Sequence, residues 1–407
     1  MAFFEPQVKT CGYPRLAPSG PDRKLLSLAL MPLTPRLAVP PLTRGEGARQ
    51  RRAGEGSLST PLDFDGALAN RATRLTVCPD SGRVLQIMIT QRRAFLAHLS
   101  MLTAVLAQAA ERLPANHSVK WAVSLGLWSH MPPCPFTSIL DVMKDTGFIG
   151  IRITGFPGFL QKYQLTLAQL HREVSRRNLQ VATISWGGPL QEPAERQKVL
   201  ESAREAMKFL ADFGANHLVV FSPGRAAPAS RVPGAFRELC ERCNQIGELA
   251  GERGFTAGLH NHLGQMVENQ EEVDRFMSMT DPKLFGLSPD TAHLHLAGCE
   301  VAGTIKKYQD RIRFLDYKDA KWTAPTQDWV LPNGSVLPKD SPEARFYASI
   351  YDLGDGEIDF PACHLILKDV KYRGWICVDL DTARHGALAS YQRCGAYVVR
   401  TLEPIYV

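Results

Sequence analysis

From Val119 onward, short runs of β-branched and aromatic residues alternate with longer stretches whose apolar positions recur every three or four residues. The first pattern fits a strand buried on both faces, the second an amphipathic helix. Strands are predicted over 120–129, 150–155, 180–186, 217–222, 256–262, 285–290, 313–319 and 375–381. Helices are predicted over 136–146, 166–177, 193–213, 234–252, 269–280, 300–310, 359–372 and 387–402. Thr166 and Gln169 have the spacing of a capping box, and Asp145-Thr146-Gly147, Phe213-Gly214 and Arg253-Gly254 read as helix stops. Regular alternation of strand and helix is the signature of βα units around a parallel sheet. Eight units over about 290 residues predict an α/β chain of the (β/α)₈ TIM-barrel class. A doubly wound open sheet would carry a glycine-rich first βα turn, which is absent here. The connection over 320–358 is long, contains Trp322, Trp329 and Tyr351, and is expected to build or cover a site.

Ahead of the barrel, residues 1–87 are rich in Pro, Gly and Arg and show no sustained period. Such a segment buries too little apolar surface to offset its ordering entropy, so it is expected to be disordered, or an upstream extension wrongly included in the reading frame. Residues 88–110 read as a twin-arginine-type export signal: Arg92 and Arg93, then an apolar run, then Ala107-Gln108-Ala109 as a cleavage context. That reading implies a periplasmic protein. A buried helix is the alternative, and it would leave the protein cytoplasmic.

Composition adds little for the barrel itself. Hydrophobic residues make up 44% and charged residues 22%, ordinary values for a packed globular chain. The net charge of +6 comes mainly from residues 1–87, whose surplus is about five. The barrel is then nearly neutral, which argues against nucleic acid as a partner. No apolar stretch is long enough to span a membrane. The CxxC of Cys240 and Cys243 falls within a predicted helix, where buried packing is the default reading.

Reactive groups in such a barrel come from the carboxyl ends of the strands. Four consecutive predicted strands end in ligand-type residues: His260-Asn261-His262, then Asp290-Thr291-Ala292-His293, then Asp316-Tyr317-Lys318-Asp319, then Asp379-Leu380-Asp381. Residues two apart on a strand share a face, so His260 with His262, Asp316 with Lys318, and Asp379 with Asp381 can point inward together. This convergence suggests a metal site.

The segments Gly258-Leu259-His260-Asn261-His262-Leu263-Gly264, Asp290-Thr291-Ala292-His293, Lys318-Asp319, Leu353-Gly354-Asp355-Gly356-Glu357-Ile358-Asp359-Phe360 and Tyr372-Arg373-Gly374-Trp375 through Asp381 resemble the sugar phosphate isomerase/epimerase superfamily. The likeness is greatest to its inosose (2-keto-myo-inositol) dehydratase-like branch. It implies a divalent ion held by His260, Asp290, Asp316 and Asp379, with His293 alongside. The oxygen-rich set favours Mn²⁺, with Mg²⁺, Co²⁺ or Zn²⁺ as alternatives. Three positions depart from the family pattern. His260 stands where glutamate is common, Asp316 where histidine is common, and Asp379 where glutamate is common.

The resemblance also implies a reaction through an enediolate, giving isomerisation, epimerisation or dehydration of a keto sugar, keto-glycoside or ketocyclitol. Asp379 or His262 would act as base, and Lys318 would stabilise the oxyanion or act as acid, the alternative being a structural Lys318 paired with Asp319 or Asp290 beneath the site. Strands seven and eight show no phosphate cradle, which favours neutral sugars. A small carbohydrate is the expected partner, with a homo-oligomer possible. The alternative is a sugar-binding barrel that does not turn its ligand over. His130 is the one histidine near the end of strand one, too few for a nuclease-type zinc cluster.

Overall fold

The computed structural model describes residues 118–406, so the extension over 1–87 and the signal segment over 88–110 lie outside the described residues. Eight strands form one sheet: β1 Val119–Ser124, β2 Gly150–Ile153, β3 Gln180–Gly187, β4 His217–Phe221, β5 Thr256–His260, β6 Gly286–Leu287, β7 Leu315–Tyr317 and β8 Gly374–Val378. They lie in the order β6-β5-β4-β3-β2-β1-β8-β7, with every pairing parallel. Parallel bridges from Leu287 to Ile312 and from Asp290 to Asp316 join the two ends of the sheet. The predicted (β/α)₈ TIM barrel is therefore the observed architecture.

The helices that follow the strands are α1 Phe136–Asp145, α2 Leu167–Ser175, α3 Arg196–Asp212, α4 Ala235–Gly251, α5 Gln270–Met279, α6 Val301–Lys307, α7 Phe360–Asp369 and α8 Ala387–Tyr397. The capping box of Thr166 and Gln169 opens α2, and a second, Asn269 with Glu272, opens α5. Gly147, Gly214 and Gly254 take φ of 83°, 70° and 71° after α1, α3 and α4. A side chain there would be strained, so these glycines end the helices where the sequence placed the stops.

The two faces of the strands part company as the pleat requires. Trp121 and Val123 of β1, and Ile151 and Ile153 of β2, join the large apolar layer shared with the helices. Ala122, Ala182, Val219 and Cys377 of four strands, with Phe314 just ahead of β7, form a second, smaller apolar cluster. Arg152, between the two isoleucines, is only 2% exposed. Cys240 and Cys243 are buried on α4, and burial pushes the Cys240 thiol up to about 12, so these are unreactive packing residues.

Several predicted strands end early. The 120–129 run stops at Ser124 because Gly126–Ser129 closes into a 3₁₀ turn. Over 285–290 and 313–319 the regular ladder covers only Gly286–Leu287 and Leu315–Tyr317. Ser288 to Asp290 and Lys318 to Asp319 leave the sheet at the barrel mouth and carry part of the site.

The long connection over 320–358 is structured. It holds a hairpin of Trp329–Val330 with Val336–Leu337, a helix over Pro342–Ala348, and a return strand Ile350–Tyr351 beside Asp319–Ala320. Its helix reaches the mouth: Phe346 stacks on His293 with ring centroids 5.2 Å apart, and the Tyr347 hydroxyl lies 2.7 Å from His130 Nε2. The Leu353–Phe360 motif is fastened by Asp319, whose carboxylate accepts N–H bonds from Ala320, Gly354, Gly356 and Ile358. At Gly356 an added Cβ would lie 2.2 Å from Asp319 Oδ1, which explains glycine there.

Candidate active site

The parallel strands deliver their last residues to one mouth, and the structure brings the expected residues together there. Asp290 caps the six-residue helix Thr291–Leu296 by accepting the His293 N–H at 3.1 Å. Its own N–H is taken by Asn261 Oδ1 at 3.0 Å, which ties the end of β5 to the end of β6. His260, Asp290, His293 and Asp316 are essentially unexposed, as is Lys318.

The charges form one network. Lys318 Nζ lies 3.0 Å from Asp290, 2.7 Å from Asp379 and 2.6 Å from Asp381. Arg152 lies 3.2 Å from Asp316 and 2.8 Å from Asp379, and its third contact is the Ser124 hydroxyl at 3.1 Å. His260 Nδ1 lies 3.0 Å from Asp316 Oδ2.

Burial disfavours both cations, yet the surrounding carboxylates outweigh it and hold Lys318 and Arg152 firmly protonated. Burial alone would raise Asp379, but Lys318 and Arg152 reverse the shift and keep it well below the usual carboxylate range. Asp290 and Asp316 are pushed up by burial, to about 6 and about 7. The three histidines are neutral: burial lowers His260 to about 3 and His262 to about 4, and takes His293 well below its ordinary value.

His262 and Asp381 differ from the rest in being partly open. His262 has intermediate exposure, and the Asp381 side chain is 23% exposed. The His262 ring packs 3.6 Å from that of His293, and its Nδ1 lies 2.8 Å from the Leu263 carbonyl. A carbonyl accepts only, so Nδ1 carries the proton and Nε2 the lone pair.

Sequence reasoning missed Arg152. A search restricted to acids and histidines at strand ends passes over a cation, although its signal was present: a charged residue between Ile151 and Ile153, on the inward face of a parallel strand. It also missed Ser124, which orients Arg152, and Asn261, which orients the Asp290 backbone.

The donor set can be tested against the divalent ion that the resemblance implies. Asp290 Oδ2, Asp316 Oδ1, Asp379 Oδ1 and Asp381 Oδ2 lack a well-aligned hydrogen bond, as a cation site would require. The remaining geometry opposes it. Asp290, Asp316 and Asp379 each present an oxygen to Arg152 or Lys318. Arg152 and Lys318 thus sit among the carboxylates that a chelated ion would have to draw together. Among the described residues, the one cluster of three ligand atoms within 4.8 Å of one another is Asp352, Asp355 and His385, a different set. His260, Asp290, Asp316, Asp379 and His293 are thus gathered as expected, but as partners of Arg152 and Lys318; as arranged, they do not fit Mn²⁺ or another chelated dication.

Comparison with known proteins agrees with the fold. Residues 135–393, more than half of the chain, match the family described as xylose isomerase-like TIM barrel. An inosose dehydratase of Bacillus velezensis is 27% identical over 286 residues, covering 65% of this chain and 90% of its own. An inosose dehydratase of Clostridium beijerinckii is 28% identical over 275 residues, covering 61% and 88%. Among solved structures, the probable 3-DHS dehydratase involved in petrobactin synthesis from Bacillus anthracis aligns with a TM-score of 0.54 at 16% identity, covering 69% of this chain and 98% of that one. The 3-keto-D-glucoside 4-epimerase from E. coli aligns with a TM-score of 0.51 at 16% identity, covering 70% and 99%. At such identity the structural likeness speaks for the fold alone; together with the sequence match over most of the barrel, it shows that the chain belongs to the xylose isomerase-like TIM barrel family.

Proposed function

We propose that this chain, an enzyme of the isomerase/epimerase or dehydratase type, acts on a keto sugar, keto-glycoside or ketocyclitol by moving a proton at the carbon beside the carbonyl. The observation that carries the reading is the pairing, at one mouth, of a neutral histidine with a fixed tautomer and a buried ammonium. His262 Nε2 takes the α-proton, and the C–H electron pair becomes the C=C bond of an enediolate. Negative charge on the former carbonyl oxygen is met by Lys318, which stays protonated throughout. The developing anion also raises the proton affinity of His262, whose pKa in the free protein is lowered to about 4.

Protonation of the opposite face by solvent, with His262 releasing its proton to water, gives the epimer, and return of the His262 proton to the neighbouring carbon gives the isomer. Expulsion of a β-hydroxyl, protonated to water, gives the dehydrated product. Asp381, partly exposed and 2.6 Å from Lys318, is placed to accept hydrogen bonds from substrate hydroxyls. Asp379 suits the part of base poorly, because two cations hold it ionised. The test is incubation of keto sugars, 3-keto-glucosides and 2-keto-myo-inositol with the purified protein, followed by NMR. Appearance of an epimer, isomer or alkene supports the proposal, and saturable binding without any product favours a barrel that only binds sugars.

Among the described residues no helix is long and apolar enough to cross a membrane. Export to the periplasm through Arg92 and Arg93 is part of the same reading and rests on sequence. Replacing both with lysine should leave unprocessed protein in the cytoplasm of a suitable host; normal processing of that variant would rule the route out.

A further inference from the structure

Arg152 has no part in the expectations drawn from sequence, yet it is buried within the charge network of the barrel mouth. Its guanidinium spans the carboxylates of β7 and β8, at 3.2 Å from Asp316 and 2.8 Å from Asp379. Lys318 spans those of β6 and β8, at 3.0 Å from Asp290 and 2.7 Å from Asp379. The two cations therefore bridge three of the four residues that the resemblance makes metal ligands. His260, the fourth, turns a ring nitrogen to within 3.0 Å of Asp316.

Two departures from the family pattern complement this arrangement. Aspartate in place of histidine at 316 adds a negative charge, and aspartate in place of glutamate at 379 is one methylene shorter. A guanidinium supplies the matching charge and bulk, and its planar fork offers separate N–H groups to the two carboxylates. Either departure alone would leave a buried charge or a gap without compensation.

We infer that Arg152 stands in for the divalent ion: with Lys318 it supplies the positive charge of the barrel mouth, and this chain holds no resident metal. Arg152 is then a positioning residue, fixing Asp316 and Asp379 without touching substrate. This inference does not depend on which sugar is turned over.

The test uses the full chain, dialysed against EDTA and then against chelator-free buffer, with metal content and thermal midpoint measured. Wild type should retain far less than one equivalent of Mn²⁺, Mg²⁺, Co²⁺ or Zn²⁺, and its midpoint should be the same in EDTA as in Mn²⁺. Arg152→Ala opens the space and exposes the carboxylates, so its midpoint should fall. Mn²⁺ at about a hundredfold above its Kd should then raise the variant midpoint by about 5 °C, a shift that loss of a purely structural contact would not produce.

One tightly held equivalent in wild type, with a midpoint that EDTA lowers, would overturn the inference. So would a folded Arg152→Ala variant that is indifferent to Mn²⁺, because the guanidinium would not then be what occupies the site. If that variant does not fold, the wild-type measurement decides alone.

Discussion

Arg152 Nη2 lies 2.8 Å from Asp379 Oδ2, joining a cation on the inner face of β2 to a carboxylate just past the end of β8. Both groups are buried, and Lys318 holds the same oxygen from the other side at 2.7 Å. An aspartate clamped in this way is a rigid strut rather than a proton carrier. On the proposed reading the base is therefore His262 rather than Asp379, and Lys318 is held charged by its carboxylate partners.

One carboxylate fastens the loop that carries Leu353 to Phe360 at several points. Asp319→Ala removes four acceptor contacts, of 2.9, 2.8, 2.9 and 3.3 Å, from backbone N–H groups. With some donors recovering water, the expected loss is about 3 kcal/mol, or roughly 6–12 °C in midpoint for a domain of this size. Asp319→Asn should lose less, and Gly356→Ala should be destabilised through the same contact. Thermal unfolding of the three variants checks this; an Asp319→Ala midpoint within about 2 °C of wild type would contradict it.

Acid should unfold the barrel through its neutral histidines. His217 sits between Thr256 Oγ1 at 2.8 Å and Ser288 Oγ at 3.0 Å, and burial lowers its pKa to about 3. His364, stacked on Trp121, is also lowered by burial to about 3. An unfolded histidine titrates near about 6.5, so between that pH and about 3 the unfolded chain binds more protons than the folded one. The stability from these neutral rings is complete above pH about 6.5 and falls by about 1.4 kcal/mol per pH unit per histidine as pH drops. Denaturant unfolding across this range should show that slope, and His217→Gln should flatten it by about one histidine's share. A variant slope equal to wild type would remove His217 from the account.

The architecture was legible because each element carried its own local signal. Thr166 and Gln169 did form the capping box, Gly147, Gly214 and Gly254 did end helices at positive φ, and all eight strand regions entered one parallel sheet. Strand ends were less legible. Ser288 to Asp290 and Lys318 to Asp319 continue the strand pattern in sequence, but they leave the β6 and β7 ladders at the mouth. The gathering of His260, Asp290, His293, Asp316, Lys318 and Asp379 could be read from barrel geometry. Their electrostatic roles could not, because those depend on Arg152, more than a hundred residues earlier, reaching across from β2.

The central claim, proton abstraction beside a carbonyl by His262 with Lys318 holding the oxyanion, is tested most directly by solvent exchange. EDTA-treated protein is incubated with 2-keto-myo-inositol and a panel of keto sugars in deuterated water, and the α-carbon is followed by NMR. Deuterium should enter at the α-carbon, His262→Gln should slow this by about 10²–10⁴-fold, and Asp379→Asn with an unchanged circular dichroism spectrum should retain most of it. Exchange that persists in His262→Gln and vanishes in Asp379→Asn, or no exchange from any sugar that binds, would contradict the account.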